Sequence, residues 1–112
     1  MQRVMTYNDK VVMDALEKYC EILQQVVDKH KVDKKVSVTW GTKFYKVVFE
    51  GQYQNSVHSF VDRKTGDLYK AAGWAAPAKG VRGNIVTDLK SIAVRVDPYG
   101  GYLYKHNPIS GK

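Results

Sequence analysis

Apolar residues recur at helical spacing over the first part of the chain. From Asn8 to about His30 they follow one another at intervals of about three or four residues. The stripe consists of Val12, Leu16, Tyr19, Leu23 and Val26, widened by Val11, Ala15, Ile22 and Val27. Asn8 is a typical N-cap, and Asp9 suits the positive end of the helix dipole. The pattern predicts one long amphipathic helix packed across a sheet, with a coiled-coil dimer as the alternative.

Segments with the period-two alternation and residue types of strands follow the helix. They cover residues 36–40, 44–50 and 57–61. The next segment, Asp-Arg-Lys-Thr-Gly-Asp at 62–67, has the composition of a hairpin turn. Asp62 is expected to open a type I turn, and Gly66 to take the left-handed position that follows it. Residues 68–70 are therefore predicted to be the returning strand.

The C-terminal third is less clearly patterned. Thr87 and Asp88 could cap a short helix with Leu89, Ile92 and Ala93 on one face, whereas residues 92–96 could equally form a strand. Residues 97–101 have the composition of a turn, 102–105 of a last short strand and 106–112 of a frayed tail. The sequence therefore predicts a single α+β domain over residues 1–112. It has one long N-terminal helix packed on an antiparallel sheet of four to five strands.

Positive charge is concentrated in the second part of the chain. The formal net charge is +7. Residues 41–112 hold eleven Lys and Arg against five Asp and Glu, whereas residues 1–40 hold seven against six. Such an excess favours polyanionic partners, either nucleic acid or an acidic protein surface, although it also serves solubility alone.

Targeting and redox signals are missing from the sequence. No segment approaches the ~20 apolar residues of a membrane span, and the first residues lack the pattern of a signal peptide. Cys20 is the single cysteine, so an internal disulfide is impossible and a reducing cytoplasm is expected. We therefore expect no membrane attachment, and the oligomeric state stays open.

The histidines do not form a recognisable catalytic or metal site. They are His30, His58 and His106. None has metal-ligand spacing with another histidine or with Cys20. In a regular strand Ser56 and His58 share one face and Ser59 lies on the other, and no orienting acid or oxyanion hole can be assigned. The sequence therefore predicts a non-enzymatic protein without cofactor or metal, with a hydrolase-type site at His58 as the enzymatic alternative.

Residues 70–84 have the composition of a contact loop. They contain three cations, no acid and one tryptophan, and their apolar residues are mostly alanines, which bury little surface. Glycines flank Val81 and Arg82. A basic, aromatic loop of this kind is typical of a binding surface. Residues 80–83 also resemble the Gly-x-x-Gly loop of KH domains, although the flanking helices of that fold are missing.

Aromatic residues accompany the cations in the basic part of the chain. The tyrosines there are Tyr45, Tyr53, Tyr69, Tyr99, Tyr102 and Tyr104. Exposed rings beside lysines can stack on bases while the cations contact phosphate, whereas the alternative is that they line sheet edges with their hydroxyls in water. The predicted binding residues are Lys46, Tyr69, Lys70, Trp74, Lys79, Arg82, Tyr102 and Tyr104.

The segment from Ser56 to Asn84 resembles small uncharacterised proteins of tailed bacteriophages. Those proteins share a Phe-Val-Asp-x-x-Thr-Gly-Asp hairpin and a following Trp/Tyr-x-Ala-Pro-Ala-Lys-x-x-Arg-x-Asn loop. Here the two motifs stand at residues 60–67 and 74–84. The resemblance implies a phage origin, with the host cytoplasm or the virion as location, and it carries no catalytic residues with it.

These observations predict a small basic phage protein that binds nucleic acid through its basic aromatic loop. The alternative is a protein-binding role, either as a virion component or as an inhibitor of a host protein. Nucleic-acid binding would depend strongly on salt, whereas protein binding would depend more on Trp74 than on charge.

Overall fold

The structure, a computed structural model, describes residues 8–96. This part of the chain contains seven regular elements. They are α1 (Asp9–Lys29), β1 (Lys34–Trp40), β2 (Phe44–Gly51), β3 (Asn55–Asp62), β4 (Asp67–Lys70), β5 (Gly83–Asn84) and α2 (Leu89–Arg95). The strands form one antiparallel sheet in the order β1-β2-β3-β4-β5. The predicted α+β class, with one long helix and an antiparallel sheet, is confirmed.

Helix α1 begins at the predicted cap. The Asn8 side chain accepts a hydrogen bond from the Val11 N–H at 3.0 Å, and Asp9 occupies the first turn. The helix buries Val12, Leu16, Tyr19, Leu23 and Val27. Val27 therefore takes the buried position that the sequence pattern had given to Val26. The chain reverses at Lys31, which has a φ of 58°, and enters β1.

The helix packs on one face of the sheet. This face, which we call the inner face, carries Tyr45, Val47 and Phe49 from β2 together with Val61 and Leu68 from the next two strands. These side chains and the α1 stripe form one buried cluster that Ile85 and Ile92 complete. The opposite or outer face carries Lys46, Phe60 and Tyr69 as cross-strand neighbours. The two faces therefore differ, with an apolar inner face and a basic aromatic outer face.

The turn between β3 and β4 has the predicted chemistry. Asp62 Oδ1 accepts hydrogen bonds from the N–H groups of Lys64 and Thr65 at 2.8 and 3.0 Å. Gly66 has a φ of 79°, in the left-handed region that a residue without Cβ adopts at low cost. The predicted roles of Asp62 and Gly66 are confirmed.

The region after β4 differs from the sequence prediction in two ways. Gly83–Asn84 forms a short fifth strand where only loop was expected. The Asn84 side chain holds this strand, because its amide nitrogen donates to Thr65 O and Asp67 Oδ1 while its oxygen accepts from Val86 N and Thr87 N. Residues 89–95 are helical, so the strand alternative for 92–96 is wrong; Ile92 is buried, whereas Ala93 is exposed. The turn, last strand and tail predicted over 97–112 lie outside the described residues.

Candidate nucleic-acid interface

The loop predicted to be a contact surface is folded back over the outer face of the sheet. Ala78 N donates to Lys70 O and Arg82 N donates to Leu68 O, both at 2.7 Å. Ala71 and Pro77 form an isolated β-bridge. These bonds fix both ends of the loop against β4, so its tip lies in a defined place rather than swinging in solvent.

Trp74 at the tip of the loop lies against Lys46. The Lys46 ammonium is 4.9 Å from the centre of the Trp74 ring and 6.0 Å from the centre of the Phe60 ring. Phe44 meets Phe60 and Tyr69 edge to face, at centroid distances of 6.0 and 5.6 Å. We call these five residues the outer cluster. It contains three of the predicted binding residues, Lys46, Tyr69 and Trp74.

The outer cluster is not an open stacking platform. Phe60 is buried, so no base can reach its face. Tyr69 is half-buried, and this burial raises the pKa of its hydroxyl, with a further contribution from the nearby carboxylates of Asp67 and Asp62. Trp74 is 56% exposed and is the accessible ring of the group.

A second tryptophan with a cation lies at the end of β1. The Arg63 guanidinium carbon is 5.9 Å from the Trp40 ring centre and 5.2 Å from that of Tyr45, and Arg63 Nη1 donates to Gly41 O at 2.6 Å. Trp40 meets Tyr45 edge to face at 5.5 Å and is 58% exposed. Tyr45 itself is fully buried on the inner face, so its inclusion among the base-stacking candidates is wrong.

The two tryptophans lie at the same end of the sheet. The turn that follows Trp40 and the turn that begins at Arg63 are joined by a hydrogen bond from Arg63 N to Lys43 O at 3.0 Å. We call this surface the turn end, defined by Trp40, Lys43, Lys46, Arg63, Lys64 and Trp74. Trp40 lies on the inner-face side of this end and Trp74 over the outer face, so four cations and two half-exposed indoles surround one end of the sheet.

Two hollows flank the first of these turns. One, of about 870 Å³, is lined by Trp40, Lys43, Arg63 and Lys64 together with the acids Asp9 and Asp62. The other, of about 360 Å³, is lined in part by Trp40, Lys43, Phe44, Lys46, Phe60 and Ala75, and so reaches the Trp74 loop. The Asp62 carboxylate is hydrogen-bonded within its own turn. The hollows therefore have aromatic walls and a surplus of cations.

The remaining predicted binding residues are dispersed. Lys70 pairs with Ser59 on the inner side of the sheet, and its Nζ donates to Ala71 O at 3.3 Å. Lys79 is exposed in the loop. Arg82 is half-buried, and its Nε and Nη1 are inaccessible and without a hydrogen-bond partner within residues 8–96. Tyr102 and Tyr104 lie outside the described residues. The structure thus separates Lys70 from the outer cluster that contains Lys46 and Trp74.

Trp40, Lys43, Arg63 and Lys64 were not predicted as site residues. Trp40 was assigned to a strand, and the cations to two turns far apart in sequence. A signal was present, since both turns carry adjacent polar and basic residues, Thr42-Lys43 and Arg63-Lys64. Only the antiparallel pairing of Phe44 with Asp62 places the two turns at one end. Their proximity is therefore a property of the sheet topology.

The surroundings of His58 bear on the alternative of a hydrolase-type site. A register shift between Val47 and Val48 places His58 and Ser59 side by side, with His58 Nδ1 and Ser59 Oγ 3.2 Å apart. The prediction that Ser59 points away from His58 is therefore wrong. Ser59 Oγ and the Tyr19 hydroxyl are 3.0 Å apart, and Ser59 is completely buried. Because Ser59 is buried, it cannot contact a substrate. The linked side chains of His58, Ser59 and Tyr19 instead connect the sheet with α1.

The acids near the sheet have structural partners. Asp62 is bonded to the backbone of its turn and Asp67 accepts from the Asn84 amide. Among residues 8–96, no group of His, Cys, Asp and Glu is arranged to hold a metal ion. No helix within that part of the chain has the length and apolar character needed to cross a membrane.

Comparison with known proteins gives a family and no further relative. No curated protein and no solved structure matches the chain significantly. One family model matches residues 1–105, which includes every element described above. The chain therefore belongs to DUF7717, a family of unknown function.

Proposed function

We propose that the protein binds single-stranded nucleic acid through the turn end. The observation that carries this proposal is that both tryptophans lie at one end of the sheet, each more than half exposed and each with a cation against its ring. Bases stack on exposed indoles irrespective of sequence, at about 1–3 kcal/mol per base, while neighbouring cations contact the phosphates. An unpaired strand offers both groups at once, whereas a duplex hides its base faces.

The arrangement of charge supports the same partner. Lys43, Arg63 and Lys64 line one hollow, and Lys46 lies between the other hollow and Trp74. Backbone contacts of this kind hold a strand without reading its sequence. We therefore expect affinity for both DNA and RNA, with little sequence preference.

The resemblance of residues 56–84 to small phage proteins fits this role. Nucleic-acid binding is common among small non-enzymatic phage proteins, and it would place the protein in the infected host cytoplasm. The alternative is a protein-binding role, in the virion or against a host protein. It predicts that an oligonucleotide contacts neither tryptophan.

Fluorescence anisotropy of labelled single-stranded DNA and RNA at low salt tests the proposal. We expect binding that Lys46→Glu weakens strongly, because the substitution replaces the ammonium beside Trp74 with a carboxylate. Lys29→Glu, at the far end of α1, is the matched control and should bind normally. Absence of binding to any single strand at low salt would exclude nucleic acid and leave the protein-binding alternative. Arg82 is unsuitable for this test, because Nε and Nη1 of its half-buried side chain are inaccessible.

A further inference from the structure

A groove runs between α1 and β1, away from the outer cluster. Its volume is about 570 Å³. Its apolar lining consists of Met13, Leu16, Cys20, Val36, Val38 and Trp40. Asp14, Glu17, Glu21 and Gln24 from α1 complete the wall. The groove therefore combines an apolar floor with an acidic rim, in a protein whose net charge is +7.

The groove lies beside a strand edge that is only partly closed. β1 is the first strand in the sheet order and, among residues 8–96, pairs with β2 alone. The Gln24 side chain closes one part of the free edge, because its nitrogen donates to Lys34 O at 3.1 Å and its oxygen accepts from Val36 N at 2.8 Å. This amide takes the place that a neighbouring strand would occupy.

No segment within residues 8–96 pairs with the rest of the β1 edge. The N–H and C=O of one strand residue point to the same side, and successive residues alternate. Since Val36 N points outward to Gln24 and Gly41 N points inward to Phe44 O, Val38 and Trp40 turn their backbone groups outward. The part of the edge left unpaired by the described residues thus extends over Val36 C=O, both groups of Val38 and Trp40 N–H, along the groove.

We propose that an extended, basic segment of a partner protein adds to the sheet along Val38 and Trp40. Its backbone would continue the ladder, its apolar side chains would enter the groove, and its Lys or Arg side chains would reach Glu17 and Glu21. The Lys10–Asp14 ion pair does not neutralise this rim, because it involves Asp14 alone and both its side chains are largely exposed.

Charge argues against a second copy of the chain as the occupant. Antiparallel pairing of two β1 strands about Val38 would bring two copies of α1 together along their groove-lining sides. Asp14, Glu17 and Glu21 of each copy would then face the same acids of the other. Like charges at such an interface oppose association. The same acids favour a basic segment.

This inference does not depend on the proposed nucleic-acid site. The two surfaces share Trp40, but Glu17, Glu21 and Val38 do not line either hollow of the turn end. Variants at these positions therefore separate the two proposals. A variant at one of these positions that loses peptide binding but keeps oligonucleotide binding would show that the groove acts independently of the turn end.

The test uses the peptide Lys-Thr-Val-Thr-Lys-Thr-Val, blocked at both ends, which places lysines and valines on one side of a strand. Amide hydrogen exchange is measured with and without the peptide. We expect slower exchange at Val38 N–H and Trp40 N–H, and no change for the peptide with glutamate in place of lysine. Equal protection by both peptides, or protection at neither amide, would overturn the proposal. So would concentration-dependent protection of these amides without peptide, since it would indicate a second copy.

Two sets of variants complete the test. Glu21→Lys should weaken binding of the lysine peptide about fivefold, because it removes one attraction and adds one repulsion. Asp88→Lys is the control, since the Asp88 side chain makes no capping hydrogen bond and lies outside the groove. Val38→Pro removes the outward N–H and leaves the hydrogen bonds between β1 and β2 intact, so it should abolish peptide binding. Val38→Ala keeps the N–H and should retain binding in part. Unchanged binding by both Glu21→Lys and Val38→Pro would contradict the inference.

Discussion

The Lys46 ammonium lies 4.9 Å from the centre of the Trp74 ring. Lys46 belongs to the second strand and Trp74 to the loop after the fourth, so this contact fastens the loop across the outer face of the sheet. It holds the indole where one side faces the protein while more than half of the residue stays accessible. The contact thus presents an aromatic surface beside a fixed positive charge, which is the combination that stacking on a nucleic-acid base uses.

Trp74→Ala should weaken binding of a single-stranded oligonucleotide by about 5- to 150-fold, the equivalent of about 1–3 kcal/mol for one stacked base. The thermal unfolding midpoint should change little, because the side chain is mostly exposed. Tyr53→Ala is the control, since Tyr53 is also exposed but lies in the turn between β2 and β3, at the opposite end of the sheet. Equal loss of affinity in both variants would indicate a general effect of exposed rings and contradict the assigned site.

Salt dependence should report the cations of the turn end. If Lys43, Lys46, Arg63 and Lys64 all contact phosphates, the slope of log affinity against log salt should be about −3, at ~0.7 per contact with a single strand. Lys64→Gln should reduce the magnitude of that slope by about 0.7. Lys29→Gln should leave it unchanged, because Lys29 lies in the last turn of α1. A slope near zero in the unmodified protein would rule out this set of contacts.

Loss of the hydroxyl should lower the free energy of unfolding at Tyr19 but not at Tyr45. The Tyr19 hydroxyl lies 3.0 Å from Ser59 Oγ between helix and sheet, so Tyr19→Phe should lower the free energy of unfolding by about 1 kcal/mol. The Tyr45 hydroxyl is buried without a hydrogen-bond partner within residues 8–96. Tyr45→Phe should therefore be neutral or raise the free energy of unfolding. Urea unfolding measures both, and a larger loss for Tyr45→Phe than for Tyr19→Phe would contradict the hydrogen bonding described.

Cys20 should be chemically inert in the folded protein. Burial raises the pKa of its thiol from 9.0 to about 12, so the thiolate that reacts with iodoacetamide is scarce. We expect slow alkylation at mildly alkaline pH and fast alkylation after unfolding in urea. Alkylation at the rate of a free thiol in the folded state would contradict this environment.

The same shift affects stability at high pH. The folded state keeps the thiol proton more firmly than the unfolded state does, so the stabilisation is complete below pH 9.0 and is lost as pH rises toward about 12. Cys20→Ala removes the titrating group. Its free energy of unfolding should therefore fall less steeply over that range than that of the unmodified protein. If the free energies of unfolding of the two proteins fell in parallel with pH, the Cys20 thiol would titrate alike in the folded and unfolded states, which would contradict the prediction.

Features encoded by neighbouring residues were predicted correctly. The stripe of α1 and the cap at Asn8 depend on contacts within one helix. The turn from Asp62 to Gly66 depends on a carboxylate and a glycine four residues apart. In each case local geometry determines the outcome, and tertiary packing agrees with it.

Features that depend on distant pairing were missed. The register shift at Val47 and Val48 turns His58 and Ser59 to one side, and no local residue pattern announces it. The contact of the loop with the outer face joins Trp74 to Lys46 in β2, and two strands, β3 and β4, separate these residues along the chain. For the same reason the candidate site differs from the predicted one. Lys46 and Trp74 lie together, whereas Lys70 lies on the inner side of the sheet. Trp40 and Arg63, which were not predicted, belong to the site.

The most direct test of the nucleic-acid site follows the indole N–H signals. The chain contains two tryptophans, so a ¹H–¹⁵N spectrum has two such signals, which Trp74→Phe assigns. On titration with a single-stranded oligonucleotide at low salt, we expect both indole signals to shift together with the backbone amides of Lys43 and Lys64, while the amide of Lys29 stays in place. Shifts confined to other amides, or no shift of either indole at saturating oligonucleotide, would contradict the proposed site.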